Sequence, residues 1–488
     1  MRYTKAIFIF IAAVTAVRLW FINLFPLLGD EAYYWQWARH LDFGFYEQGP
    51  GVALVIWLFT LFTKINTIFT VRAGAVILSA ATLVIAFLIY KKLYPGDTDK
   101  KENFINILNM SSSVIFAAGS ILMMHDTVMA FFAALFILQM LYICEKPGSS
   151  RYWASAGMLL GFGVISKLTL ATFYPAVIIF AMTAFTVNKK LFKNLLIFTL
   201  FTVIASSPYI YWNFTHDFAT LKYLFIRGGG GNSGLTLKYL GELAGAQFGL
   251  ISPFLFLFMM AAGFKALKNR ENKGEYLMPV LFFVSIIPYL LLSLKSRVEA
   301  NWPAYCFFPL FFITTRYIFG LNLKPSLKKA AIHLPYALGF LAVILIHIHL
   351  VLPILPIPEK ANPLKKTYGY KELAEKADGV YNTLRQKGPL FIASRHYQTA
   401  SLLAFYMKDN PEVYCLIPHE SRKHYRFWNA YEEYKGGSCL FVYGEPWEHA
   451  EMSVYFENSV AADEFIYKKG AAESRYLFDY NTGFKGIK

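Results

Sequence analysis

The chain has 488 residues, of which 56% are hydrophobic, 18% aromatic and only 16% charged. Mean hydropathy is +0.40. Soluble domains carry about a quarter charged residues, so this composition excludes an ordinary soluble enzyme, and its aromatic content excludes a disordered chain. The formal charge of +16 could suggest nucleic acid, but in so apolar a chain it reads better as the basic bias of cytoplasmic loops, with no nucleic-acid partner.

Arg2 and Lys5 precede an apolar run over residues 6–28. It is too long for a signal peptide and has no small-x-small cleavage site, so it reads as a retained signal anchor. Counting segments near the 20 residues that a bilayer core requires gives about eleven expected spans: 6–28, 73–90, 104–123, 127–144, 152–166, 169–187, 194–211, 248–264, 277–293, 303–319 and 331–353. With the N-terminus cytoplasmic, the Lys- and Arg-rich loops around 91–101, 146–151, 189–193, 265–273 and 316–329 all fall inside, as the positive-inside rule requires. The apolar segment 51–69 would invert every later loop if it spanned. It is therefore expected as an interfacial or re-entrant helix on the outer face.

Residues 360–488 change composition. A polar helix is expected near 368–387, a strand at 389–394, a helix at 397–408 and strands at 412–417 and 439–443. This alternation predicts a small C-terminal α/β domain, periplasmic if eleven spans precede it. Pro353, Pro356, Pro358 and Pro363 mark the linker, giving two domains, 1–353 and 360–488. Cys144 and Cys306 lie in apolar stretches. Cys415 and Cys439 lie in the polar tail, where a disulfide is possible in an oxidising compartment.

The outer loops hold the chemistry. The first reads GDEAYYWQWARHLDFGFYEQGPG from Gly29 to Gly51. His125-Asp126, Ser166-Lys167 and Arg297-Val298-Glu299-Ala300-Asn301-Trp302-Pro303 follow. A carboxylate beside a hydroxyl can act as general base, and Lys or Arg can neutralise a phosphate. Asp30 and Asp126 could equally cap helices, Lys167 could snorkel, and Arg297 with Glu299 could form a surface ion pair of little worth. The rings of Tyr33, Tyr34, Trp35 and Trp37 read first as an interfacial belt and second as stacking surfaces for sugars. His347 and His349 lie two apart, off a common helix face. Gly228–Gly231 lacks the GK[ST] ending of a P-loop and reads as a flexible loop that could gate donor entry.

The blocks GDEAYYWQW, YEQGP, HD, SK and RVEANWP, in this order, resemble the GT-C membrane glycosyltransferases. The likeness covers roughly residues 1–353. It points to the bacterial branch related to protein O-mannosyltransferases and to the lipid A aminoarabinose transferase (ArnT-like), and within it to the RgtA/B/C/D-like group. The resemblance implies a polytopic α-helical fold in the bacterial inner membrane. It implies transfer of a sugar, with inversion, from a polyprenyl-phosphate donor to lipid A, lipopolysaccharide or another envelope glycan. A protein acceptor is the alternative, and a lipid-linked-sugar flippase is the rival of another class. Catalytic roles fall on Asp30, Glu47 and Asp126, with Asp30 the leading acid. Substrate contacts fall on Glu31, Tyr33, Tyr34, His125, Lys167, Arg297, Glu299 and Asn301. Gln48-Gly49-Pro50 replaces the basic-Pro-Pro pattern of relatives, and Tyr33 replaces an Arg of the aminoarabinose enzymes. Donor phosphate binding is then expected at Lys167 and Arg297. No cofactor or metal-ligand cluster stands out, although the acid-rich first loop could hold a divalent cation.

Overall fold

A computed structural model describes residues 2–97, 101–227, 234–352, 354–355, 368–416, 420–428, 430–469 and 472–486. The Gly228–Gly231 run and the linker prolines 353, 356, 358 and 363 lie outside the described residues.

The helices are, in chain order, α1 (Arg2–Phe21), α2 (Gly29–Arg39), α3 (Gly51–Phe59), α4 (Ile68–Leu93), α5 (Lys101–Ser112), α6 (Val114–Gly119), α7 (His125–Glu145), α8 (Ser150–Ser166), α9 (Phe173–Ala184), α10 (Lys189–Thr215), α11 (Ala219–Arg227), α12 (Lys238–Ile251), α13 (Pro253–Lys268), α14 (Lys273–Ser293), α15 (Phe308–Phe319), α16 (Pro325–Val351), α17 (Tyr370–Leu384), α18 (Tyr397–Tyr406) and α19 (Pro446–Ser453). The strands are β1 (Leu390–Ser394), β2 (Val413–Cys415), β3 (Ser438–Tyr443), β4 (Asn458–Lys469) and β5 (Ala472–Thr482). They fall into two compact units. The first comprises Met1–Leu24, Asp42–Val55 and Arg72–Pro353; the second comprises Phe25–Leu41, Ile56–Val71 and Ile354–Lys488.

The first unit is a bundle of apolar helices, and the protein is a multi-pass membrane protein. Among the described residues, six helices are long and apolar enough to cross a membrane alone, and the bent pair α12–α13 would make a seventh. Each of the eleven expected segments overlaps a helix, but breaks shorten several of them. Segment 104–123 divides at Ser113 into α5 and α6. Segment 248–264 straddles a 106° bend at Ser252, whose φ is +98°. The following Pro253 disfavours the helical region for its predecessor, so the backbone turns there. Hydropathy registers apolar length and is blind to such breaks. Segment 51–69, expected not to span, contains the nine-residue α3, about 13 Å long at 1.5 Å per residue and too short to cross. α8 and α10 approach closely because Gly157 and Gly161 face Phe198 and Ala205 with no room for a Cβ, the small-xxx-small device of membrane helix packing.

The second unit holds a five-stranded sheet among the described residues, in the order β2-β1-β3-β5-β4. β1 runs parallel to β2 and β3, and β5 runs antiparallel to β3 and β4. The elements expected from 368 to 443 are present. The β4–β5 hairpin was not expected, because its exposed face carries charged residues that blur alternation. Phe391, Phe441, Met452, Phe456 and Phe484 form a core on this sheet. Cys415 and Cys439 are buried free thiols and not a disulfide. They lie on β2 and β3, with β1 between them. Two strand spacings of about 4.8 Å already exceed the reach of a disulfide.

α2 belongs to this second unit and packs on α18. Trp35 sets its ring edge-on to Phe405 at 5.1 Å and donates to Asn66 Oδ1 at 2.9 Å. The belt reading of the first-loop aromatics is corrected here. Tyr33, Trp35 and Trp37 are fully buried, because the other elements of the unit cover the ring faces that a membrane interface would otherwise take.

Candidate active site

α2 begins at Gly29, directly before Asp30. Glu31 is fully buried, and its Oε2 accepts from the Leu28 N–H at 3.1 Å. It closes the first turn, where carboxylates also complement the helix dipole. Asp30 is half-buried and does not cap α2. Its Oδ1 accepts two hydrogen bonds, from the Tyr397 hydroxyl at 3.0 Å and from Gln398 Nε2 at 2.9 Å. Its Oδ2 has no donor among the described residues. A Cβ on Gly29 would come within 2.7 Å of Gln398 Cβ, so glycine lets α18 approach the carboxylate. Tyr33 faces the same cluster. Its ring lies 4.7 Å from that of Tyr397, and its hydroxyl accepts from the His424 N–H at 2.7 Å. Tyr34 is half-buried beside it.

A second cluster lies in the helical unit. Asp126, in the first turn of α7, accepts from Lys167 Nζ at 2.6 Å; the Lys167 side chain is 7% exposed and that of Asp126 28%. Lys167 sits in an extended break after α8, which points its ammonium back toward α7. His125 is buried against Ser166. The YEQGP block docks on the same break. Gln48 Oε1 accepts from the Leu168 N–H at 3.1 Å, and a Cβ on Gly49 would overlap the Ile165 carbonyl. The residues after RVEANWP arrive there as well: the Tyr305 hydroxyl donates to Thr169 O at 2.8 Å and contacts Thr172 Oγ1 at 2.7 Å. The HD, YEQGP and SK blocks are thus brought together, with Tyr305 as a member that sequence did not reveal. Asp126 also lines a largely apolar cleft, with Thr127, Met129, Tyr305, Phe308 and Phe311.

Glu47 is half-buried and interacts with Tyr209. Arg297, Glu299 and Asn301 are exposed. Among the described residues their side chains make no hydrogen bond or ion pair, and Arg297 and Glu299 do not pair with each other. Asp42 accepts from Trp212 Nε1 at 2.7 Å. Among the described residues no group of three His, Cys, Asp or Glu side chains could hold a metal ion. Tyr397 and Gln398 are the partners that sequence reasoning missed. They lie in a helix with no motif of its own, and only the fold carries them to Asp30.

A family model described as dolichyl-phosphate-mannose-protein mannosyltransferase matches residues 48–212. Lipid A galacturonosyltransferase RgtD of Rhizobium johnstonii is 25% identical over 285 residues; the match covers 56% of each chain, so it spans little more than half the length of that relative. ArnT from Cupriavidus metallidurans in the apo state superposes with a TM-score of 0.64 at 12% identity, over 99% of both chains. The same enzyme bound to undecaprenyl phosphate gives 0.58 at 12% identity, over 96% of this chain and 97% of that one. The fold is that of the GT-C membrane proteins, mostly helical with a small C-terminal sheet domain. The sequence matches are thus to a mannosyltransferase family and a galacturonosyltransferase, and the solved structures sharing the fold are those of ArnT.

Proposed function

We propose that this chain transfers a sugar from a polyprenyl-phosphate donor to lipid A, lipopolysaccharide or another envelope glycan, with inversion at the anomeric carbon. The observation that carries the reading is Asp30: two donors fix Oδ1 and leave Oδ2 open, the arrangement of an oriented general base. Oδ2 takes the proton of the acceptor hydroxyl as its oxygen attacks the anomeric carbon, and the bond to the donor phosphate breaks. Lys167 and Arg297 are assigned to that phosphate. Lys167 has the stronger support, since its ammonium is desolvated and charge stabilisation is larger in such a setting. The apolar cleft at Asp126 suits a prenyl or acyl chain. We place the chain in a bacterial inner membrane, N-terminus cytoplasmic and the 360–488 domain periplasmic, on the distribution of basic loops.

The test is mass spectrometry of envelope lipids from a deletion strain and from strains complemented with wild type or Asp30→Asn. One sugar mass lost in the deletion, restored by wild type and not by Asp30→Asn at equal expression, supports the reading and names the sugar. Full restoration by Asp30→Asn overturns the base assignment. A protein acceptor is the second reading, favoured by the description of the matching family. Sugar on secreted protein with unaltered glycolipids would select it.

A further inference from the structure

Trp447, in the first turn of α19, is 54% exposed, although every element around it belongs to a folded sheet unit. The Arg395 guanidinium lies over its ring, 4.4 Å from the centroid, and is fixed by Glu451 Oε2 at 2.6 Å. The indole is thus backed by a cation on one face and open on the other. Cation–π backing of this kind orients a ring and stabilises it. Next in sequence, the exposed His396 lies 3.5 Å from Glu448 Oε1. Glu448 is buried, and its Oε2 has no hydrogen-bond partner among the described residues. The following two residues are Tyr397 and Gln398, which hold Asp30. One stretch, 395–398, therefore joins the open indole to the carboxylate.

We propose that Trp447, Arg395 and His396 form a sugar-ring subsite carried by the segment that also holds Asp30. The open indole takes the C–H face of a pyranose, while the Arg395–Glu451 pair and His396 offer hydroxyl partners at its edge. A membrane anchor is the competing use of an exposed Trp, and the lipid-quenching arm of the experiment below decides between the two. The subsite rests on the transferase reading, and the ring it holds belongs to the acceptor glycan or to the donor sugar.

The experiment is saturation-transfer NMR on the full chain in detergent micelles. One probe is the β-1,6-linked glucosamine disaccharide that heads lipid A; the other is the methyl glycoside of galacturonic acid. We expect ring-proton saturation of one probe, reduced about five-fold or more in Trp447→Ala, as loss of an aromatic contact entails, and retained in Trp447→Phe. Saturation of the disaccharide assigns the subsite to the acceptor; saturation of the glycoside assigns it to the donor. Failure of both probes, or equal saturation in Trp447→Ala, overturns the proposal. It is also overturned if, in nanodiscs, the fluorescence lost in Trp447→Ala is the fraction that brominated lipids quench. Because no turnover is measured, failure of the subsite and failure of the transferase reading are separate results.

Discussion

Gln398 Nε2 donates to Asp30 Oδ1 at 2.9 Å across 368 positions of sequence. With the Tyr397 bond to the same oxygen, it fixes the plane of the carboxylate and decides which oxygen is offered. Hydrogen bonds to charged groups contribute about 1.5–3 kcal/mol each. We expect Asp30→Asn to lower kcat by about 10²–10⁴, the usual span for a general base. Gln398→Leu or Tyr397→Phe should lower kcat about tenfold each, since 1.4 kcal/mol is a factor of ten, with the donor KM unchanged. Transfer assays with lipid-linked sugar in proteoliposomes check this. Equal activity of all three variants would remove Asp30 from the chemistry.

The Asp126–Lys167 pair is asymmetric in burial, and the two single substitutions should differ accordingly. Asp126→Asn leaves a nearly buried ammonium without its counter-charge, a situation that costs about 3–5 kcal/mol. Lys167→Met leaves a carboxylate that water already reaches. We expect Asp126→Asn to lower the Tm in detergent more than Lys167→Met does, and the double variant to recover part of the loss. Lys167→Met should in addition raise the donor KM. A normal donor KM in Lys167→Met would leave the lysine a structural role only.

Sequence made the apolar helices legible because a bilayer demands length and apolarity and little else, but not the number of spans: about eleven were expected, and among the described residues six helices and one bent pair are long and apolar enough to cross. It was blind where conformation depends on a break. Ser113 and Ser252 interrupt runs whose hydropathy does not change. Among the candidate residues, Asp30, Asp126 and Lys167 were legible because charges are conspicuous among apolar spans. Tyr397, Gln398 and Tyr305 were not, since a tyrosine or glutamine in a helix looks the same whether it faces water or a carboxylate. The aromatic run after Asp30 misled for a related reason: amphipathic rings suit an interface and a buried core equally, and only the sheet unit around α2 decides between them.

Gly49 is where the first loop meets the end of α8, and its Cα faces the Ile165 carbonyl with no space for a methyl group. Backbone cannot yield as a side-chain tip does, and forcing an extra carbon into a packed contact costs about 1–3 kcal/mol. Gly49→Ala should therefore lift Gln48 from the Leu168 N–H and disturb Lys167 next to it. The expected outcome is a lower Tm, together with a loss of transfer larger than that of Gln48→Ala, which removes the bond without the overlap. Thermal melts and transfer assays on both variants measure the difference. A Gly49→Ala chain as active as wild type would show that the loop does not set the position of the lysine.

Glu412 gives the sheet unit a pH-dependent contact with α2, through Arg39 and through His40 Nε2 at 3.3 Å. Partial burial pushes its carboxyl up, but the hydrogen bond from His40 and the charges of Arg39 and His40 outweigh that effect and hold it below the ordinary glutamate value of 4.5. A carboxyl depressed in the folded state contributes stability that is present above its unfolded pKa and lost as pH falls through the folded one. The contribution is modest, because the side chain is 42% exposed and solvent screens it. We expect Glu412→Gln to lower the Tm of the full chain at neutral pH and to converge with wild type as acid protonates the carboxylate, so that the difference between the two melting curves begins to shrink near pH 4.5 and closes only below it. A difference that stays constant from neutral to acid would show that Glu412 acts by packing and not by charge.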